Sequence, residues 1–256
     1  MTQLKVLQFT DTHLFTDSGE RLAGVDTWAS FEAVLQTALA EQIPDLLLFT
    51  GDLAQTPSES TYARLHKMVG THFPGEVLYL PGNHDDPAFA QALFARRTIA
   101  MGSWRIVGLN SRVPDAEGGS VADSEFSWLR AQMRAAQEPN LLIAVHHPPL
   151  ELGFCLDHGR IDNGGRLLAE LGADARVRGL IHGHVHQAAT SRIGELWLLA
   201  TPSTCVQFKP LSPQFALDTH APGYRWLDLM PDGRIETGIE RLPAGSFPAT
   251  LAARKT

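Results

Sequence analysis

Val77-Leu78-Tyr79-Leu80-Pro81-Gly82-Asn83-His84-Asp85 carries an apolar strand straight into a turn that holds an amide, an imidazole and a carboxylate. Proline fixes φ and glycine permits backbone turns that other residues resist, so the chain must change direction at Pro81-Gly82. In isolation the stretch reads as a polar turn with a helix cap, because Asp85 or Asp86 before Pro87 suits a helix start. Asn83 can also offer an oxygen to a metal ion, His84 can move a proton, and Asp85 can orient His84. Four other strand ends in the chain repeat the arrangement and favour the chemical reading.

Upstream, Lys5 to Thr10 is expected as a strand that ends at Asp11-Thr12-His13. Asp26 or Thr27 caps a helix in which Trp28, Phe31, Val34, Leu35, Ala38 and Leu39 keep helical spacing, and Pro44 marks its end. The continuous apolar run Leu46-Leu47-Leu48-Phe49 suits a strand buried on both faces, and it ends at Gly51-Asp52. A helix through Tyr62, Leu65 and Val69 stops near Gly70. Downstream, Trp104 to Asn110 is a strand and Ser124 opens a helix. Leu141 to Val145 runs into His146-His147-Pro148, and Val177 to Ile181 runs into His182-Gly183-His184-Val185-His186. A short helix covers Arg166 to Leu171. Later strands are expected near Ala188 to Arg192, Glu195 to Leu199, Tyr224 to Met230 and Ile235 to Arg241, the last two joined by a Pro231-Asp232-Gly233 turn. The alternation β-α-β-α-β predicts parallel strands, and sites in such sheets form beyond the carboxyl ends of the strands. The chain shows no repeat or linker. The expectation is one α/β domain over residues 1–243 built on two packed sheets, followed by a weakly ordered tail over residues 244–256.

The chain-wide numbers narrow the partners. A length of 256 residues allows a sizeable core. A net charge of −7 argues against a broad nucleic-acid surface. No apolar run reaches the roughly 20 residues that span a bilayer, so no stable membrane insertion is expected. Cys155 and Cys205 are too few for a disulfide framework and lack zinc-thiolate spacing. A cytoplasmic protein, monomeric or homodimeric, is expected. The informative number is eleven histidines, several of them clustered with other metal-ligand types.

Asp11, His13, Asp52, Asn83, His146, His184 and His186 form a seven-member candidate ligand set. Asp11 and His13 are expected to share one face of an extended segment, as are His184 and His186, because strand side chains alternate. Seven ligands exceed what one ion usually takes from protein, whereas two ions sharing a carboxylate use them all. Two cations about 3.5–4 Å apart clamp the attacking and leaving oxygens of a phosphoryl displacement. Mixed nitrogen and oxygen ligation favours Mn, Fe or Zn over Mg. Imidazole must be neutral to bind, so metal is expected to leave in mild acid.

In order, Asp-x-His, Gly-Asp, Gly-Asn-His-Asp, His and Gly-His-x-His resemble the calcineurin-like metallophosphoesterases. Thr10 to Phe15, Gly51 to Gln55, Ala200 to Pro210 and Leu217 to Gly223 are similar to the bacterial class III 3′,5′-cyclic-AMP phosphodiesterases of the CpdA type. The resemblance implies the metallophosphoesterase fold, a four-layer α-β-β-α sandwich of two mixed sheets. It implies one ion on Asp11, His13, Asp52 and His186, and a second on Asp52, Asn83, His146 and His184. It also implies in-line attack of a metal-bridging hydroxide on cyclic AMP to give 5′-AMP. His84 would bind the phosphoryl group or protonate the leaving 3′-oxygen, with Asp85 as its orienting partner and a possible cap for the next helix. Asn83, His84, His13, Asp52 and His184 would face substrate. The family motif places the ligand at His146, leaving His147 behind it. Cys205 has no activating neighbour and reads as packing, and the loops Val113 to Glu125 and Gly153 to Asn163 are candidates for holding the base.

The enzyme alternative is another diester, such as a glycerophosphodiester or a different cyclic nucleotide, since one fold serves many substrates. The non-enzyme alternative is a metal-bound scaffold or sensor. The complete ligand set and His84 speak against it, because a scaffold has no use for His84.

Overall fold

Alternation along each strand sends its residues into two different cores, and this builds the layers. In the computed structural model, which describes residues 2–251, β1 (Leu4–Phe9), β2 (Leu46–Thr50) and β3 (Glu76–Leu80) run parallel. Their Leu7, Leu47, Phe49 and Tyr79 side chains pack on Trp28, Phe31 and Leu35 of α1 (Thr27–Glu41) and on Tyr62, Leu65 and Val69 of α2 (Glu59–His72). The intervening Val6, Leu46, Leu48, Leu78 and Leu80 point the other way, onto Ile106, Leu142, Ala144, Ile181 and Leu199 of a second sheet. That sheet turns Val107, Leu141, Ile143, Leu180 and Leu198 outward onto α4 (Asp123–Ala135) and α5 (Gly164–Gly172). The result is the expected four-layer α-β-β-α sandwich, with the apolar layer between the sheets closed on both sides.

The second sheet has strand order β4-β5-β6-β7-β9-β8, from β4 (Thr98–Met101), β5 (Trp104–Gly108), β6 (Asn140–Ala144), β7 (Val177–His182), β8 (Ala189–Ile193) and β9 (Leu196–Ala200). The first has order β11-β10-β1-β2-β3, because β10 (Gly223–Leu229) returns to pair antiparallel with β1 and β11 (Ile235–Arg241) folds back on β10. Gly233, at φ 91°, makes the hairpin turn between them, with Gly233 N–H donating to the Met230 carbonyl. β1, β2, β3, β6 and β7 all end at the same edge of the sandwich.

Some boundaries differ from the sequence reading. α2 continues past Gly70 to His72 and ends where Phe73 N–H donates to the Val69 carbonyl, because an exposed glycine near a helix end is tolerated when packing holds the rest. The short helix α3 (Gln91–Ala95) and the edge strand β4 were not expected; each is too short to show a period. Asp26, rather than Thr27, caps α1, accepting from Ala29 N–H. Beyond β11, Phe247 packs against Val25 and its neighbours, and Thr250 N–H donates to the Ala23 carbonyl. Residues 252–256 of the tail lie outside the described residues.

Candidate functional site

The seven candidate ligands gather beyond the ends of β1, β2, β3, β6 and β7. Asp11, His13, Asp52, His184 and His186 all sit at positive φ, between 45° and 69°. L-residues avoid this region, and non-glycine residues held in it cluster at functional sites. The extended segments expected around Asp11 and around His184 are therefore absent. Strand geometry ends at Phe9 and at His182, and left-handed turns, not strand alternation, aim each pair inward. Backbone hydrogen bonds hold these turns: Asp11 N–H donates to the Gly51 carbonyl and His13 N–H to the Asp52 carbonyl, both at 2.9 Å. His184 N–H donates to the Asp11 carboxylate at 3.0 Å, tying the two sheets together.

Gly82 is needed here for space rather than for its φ. A Cβ at this position would collide with the Asp52 carboxylate and backbone nitrogen. Asp52 Oδ1 accepts from His84 N–H at 2.9 Å. Its Oδ2 stands 3.7 Å from His13 Nε2 and 3.4 Å from His146 Nε2. Asp52 thus lies between the two halves of the cluster. On one side are Asp11, His13 and His186, with His186 Nε2 3.5 Å from Asp11 Oδ1. On the other, Asn83 Oδ1 lies 3.0 Å from His146 Nε2 and 3.1 Å from His184 Nδ1.

The histidine tautomers show that these residues suit cations. Nδ1 of His13, His146 and His186 faces Gln55 Oε1, the Thr50 carbonyl and the Val206 carbonyl, at 2.8, 2.8 and 2.7 Å. Those oxygens only accept, so each Nδ1 carries a hydrogen, and Nε2 of His13 and of His186 presents a lone pair. Nε2 of His13 and Nε2 of His186 then face one another at 3.1 Å. Burial lowers the His13 pKa to about 4 and holds those of His184 and His186 well below the usual imidazole value, so protons do not fill the gap at neutral pH. Opposed lone pairs and carboxylates at such distances fit shared cations and little else.

His146 differs from these three. Burial lowers its pKa, but the Asp52 charge and hydrogen bond, with Asp11 behind them, outweigh it and raise the value to about 9. Asp11 is pushed up to about 7 by burial, with the Asp52 charge adding to it. Asp52 is raised by burial, yet His146 and His13 carry it well below the usual carboxylate range.

His84 is exposed, its ring edge-on to His13 at 4.9 Å between centroids. With His13, Asp52, Asn83, His184 and His186 it lines a cleft of about 160 Å³. Glu117 from one candidate loop and Leu156, His158 and Gly159 from the other complete the walls, with Phe208. Asp11 and His146 lie beneath, fully buried.

Asp85 does not orient the His84 ring and does not cap the next helical turn. Its Oδ1 accepts from Ala54 N–H and the Tyr62 hydroxyl, and its Oδ2 from Leu53 N–H and Gly82 N–H, all within 3.1 Å. Every acceptor position is used, by the loops after β2 and β3 and by Tyr62 of α2, and the cap comes from Asp86, which accepts from Ala88 N–H. Adjacent His146 and His147 both turn toward the cluster. His147 is already satisfied, however, with Nδ1 2.7 Å from Ser111 Oγ and Nε2 3.2 Å from the Glu117 carbonyl. Cys205 Sγ donates to the Asp11 carbonyl, as does Ser203 Oγ, and burial pushes the Cys205 thiol up to about 12. It is an inert prop for the Asp11 turn. Sequence reasoning singled out neither Gln55, which fixes His13, nor Phe208, stacked on His186 at 4.1 Å and 8°. Their only signal is that both fall inside the segments that carried the family resemblance.

The description "Calcineurin-like phosphoesterase" belongs to the family model matched by residues 4–188. The chain belongs to this calcineurin-like phosphoesterase family. Among curated relatives, a 3′,5′-cyclic adenosine monophosphate phosphodiesterase CpdA of Escherichia coli K12 is 38% identical, over 98% of this chain and 94% of its own length. The CpdA of Pseudomonas aeruginosa is 38% identical over 93% and 89%, and a 3′,5′-cyclic-nucleotide phosphodiesterase of Nostoc sp. is 34% identical over 94% and 93%. A dimetal phosphatase from Danio rerio has the same fold, with a TM-score of 0.60 at 13% identity over 94% of this chain and 99% of that one. So does GAP50, the anchor in the inner membrane complex of Plasmodium, with a TM-score of 0.69 at 11% identity over 100% and 91%. Within the calcineurin-like fold, then, architecture alone does not specify the task.

Proposed function

We propose that this protein hydrolyses 3′,5′-cyclic AMP to 5′-AMP at a two-cation centre. One cation takes Asp11, His13, Asp52 and His186; the other takes Asp52, Asn83, His146 and His184. The observation that carries this reading is the Asp52 carboxylate standing between His13 and His146 nitrogens on its two sides, with the Nε2 lone pairs of His13 and His186 opposed beside it. Nitrogen and oxygen donors together favour Mn, Fe or Zn. When bound, such a pair supplies Lewis-acid activation of water and of the phosphodiester. The names of the curated relatives support cyclic AMP as substrate, and the location proposed with that substrate is the cytoplasm.

His84, exposed at the mouth with its backbone held on Asp52, contacts the phosphoryl group. Water oxygen joins phosphorus in line with the departing 3′-oxygen, the P–O3′ bond breaks, O3′ takes a proton from protonated His84, and the proton the water gives up passes through solvent to restore His84. General acid catalysis of this kind is worth roughly 10²–10⁴-fold. The test compares cyclic AMP, cyclic GMP and bis(4-nitrophenyl) phosphate with the metal-loaded protein and with His84→Ala. Cyclic AMP is expected as the best substrate, and His84→Ala is expected to keep its metal while slowing turnover by about that factor. Good turnover of the aryl diester with none of cyclic AMP would defeat the substrate assignment. An unslowed His84→Ala would defeat the role of His84.

A further inference from the structure

Three of the four candidate histidine ligands are fixed through Nδ1 by an oxygen behind the ring; His184 is not. Its Nδ1 is the nitrogen that meets the cluster, 3.1 Å from Asn83 Oδ1 and 3.3 Å from His146 Nε2. Its Nε2 lies across the ring and faces Gly159. A Cβ on Gly159 would stand 2.4 Å from His184 Nε2, far inside contact distance, and 3.3 and 3.4 Å from Cε1 and Cδ2. Gly159 is buried and its φ is outside the left-handed region, so this position uses the missing side chain and not a special backbone shape. On another side the ring is closed in by His147, 4.8 Å away between centroids and itself held by Ser111 and the Glu117 carbonyl.

Gly159 ends a single 3-10 turn, Asp157–Gly159, that is tied down on every side. Gly159 N–H donates to the Leu156 carbonyl at 2.8 Å, and the Asp157 carboxylate accepts from the N–H groups of Leu152, Gly153 and Phe154 within 3.0 Å. Just beyond the turn, Gly119 N–H donates to the Arg160 carbonyl, Asp162 N–H to the Gly119 carbonyl and Ile161 N–H to the Pro148 carbonyl. When a contact is too short, the part held least firmly gives way, and here that is the far end of the His184 side chain. Resting on the two-cation reading, we infer that Gly159 is a positioning residue for the second cation: it leaves the His184 ring room in the setting that aims Nδ1 at Asn83 and His146. The two cation positions are then built unequally. Hydrogen bonds set His13 and His186 for the first, whereas a wall of the cleft sets His184 for the second.

The test is Mn(II) titration of the metal-free protein, read by calorimetry and by low-temperature electron paramagnetic resonance. The wild type is expected to take up two ions per chain and to show a spin-coupled pair at saturation. In Gly159→Ala the first ion is expected to bind within about threefold of wild type and the second roughly 10–100-fold more weakly, the range seen when a group that orients a metal ligand is changed. The spectrum at two equivalents should then be mainly that of isolated Mn(II). A merely structural role would lower Tm and leave the ratio of the two affinities alone. Gly165→Ala, where a Cβ meets open space, is expected to match wild type, and the same selective loss there would overturn the inference. Two ions bound by Gly159→Ala as by wild type overturn it as well. So does loss of both ions, or a Gly159→Ala chain that does not fold, because either puts the displacement in the backbone and not in the His184 ring. A wild type that takes up one ion or none instead overturns the two-cation reading itself, and the role of Gly159 with it.

Discussion

A single methyl group separates the seven ligands from a broken site at position 82. Gly82 Cα lies so close to Asp52 that a Cβ would overlap both its carboxylate and its backbone nitrogen, and would stand 2.8 Å from His146 Cε1. None of these neighbours can retreat freely. Asp52 N belongs to the turn after β2, and the His146 ring is held by Thr50. Gly82→Ala is therefore expected to cost roughly 1–3 kcal/mol of stability, as overpacking does. It should also move the shared carboxylate, so bound metal should fall well below that of wild type. Metal content after purification, read beside a thermal melt, checks both parts; a variant that binds metal as wild type does would show that the carboxylate has room to move. Gly82 was legible in the sequence as a turn residue, but not for this reason. The need for space comes from Asp52, thirty positions away, and no local pattern carries it.

At the scale of elements, Asp85 is a brace between two loops. Its four accepted hydrogen bonds join the loops after β2 and β3 to Tyr62 of α2, and burial followed by the Asp52 charge raises its pKa to about 6. Asp85→Asn turns one acceptor into a donor that faces N–H groups. A loss of roughly 2–4 kcal/mol, or several degrees in Tm, is expected, since unpaired buried donors cost about 1–3 kcal/mol each. Tyr62→Phe removes one bond of the four and should cost about 1 kcal/mol. An Asp85→Asn enzyme with an unchanged Tm and a collapsed kcat would instead restore Asp85 as the partner of His84. The elements themselves were legible wherever burial imposed a period: β2 is buried on both faces and reads as an unbroken apolar run, and α1 shows its packed face. The left-handed turns at Asp11, Asp52 and His184 were not legible, because they arise from contacts between loops of different strands rather than from the residues' own preferences. His13 and His186 converge for the same reason, although the motif spacing alone named them.

Over the whole molecule, the site joins the two sheets through charge, and pH decides how firmly. Asp11 and His13 come from the first sheet and His146, His184 and His186 from the second, while the apolar layer between the sheets runs up to their base. In the metal-free protein His146 has a pKa raised to about 9 by Asp52 and Asp11 against the effect of burial, so near neutrality it carries a proton. Its pairing with Asp52 stabilises that form fully below the unfolded value near 6.5, and the contribution is lost as pH rises through about 9. A cation entering the site must displace this proton. Apparent metal affinity is therefore expected to fall by up to about tenfold per unit as pH drops below 9. The fall steepens below about 7, where Asp11, raised by burial, takes up a second proton. Titration calorimetry with Mn or Zn in buffers of different ionisation enthalpy reads this directly: about one proton released per protein at pH 8, and more at pH 6. The thermal shift produced by metal should shrink in parallel, since metal binding stabilises the fold by mass action and weaker binding stabilises it less. Metal affinity that is flat between pH 6 and 8, with no proton release, would mean that His146 is neutral before the cation arrives and that Asp52 does not hold its proton.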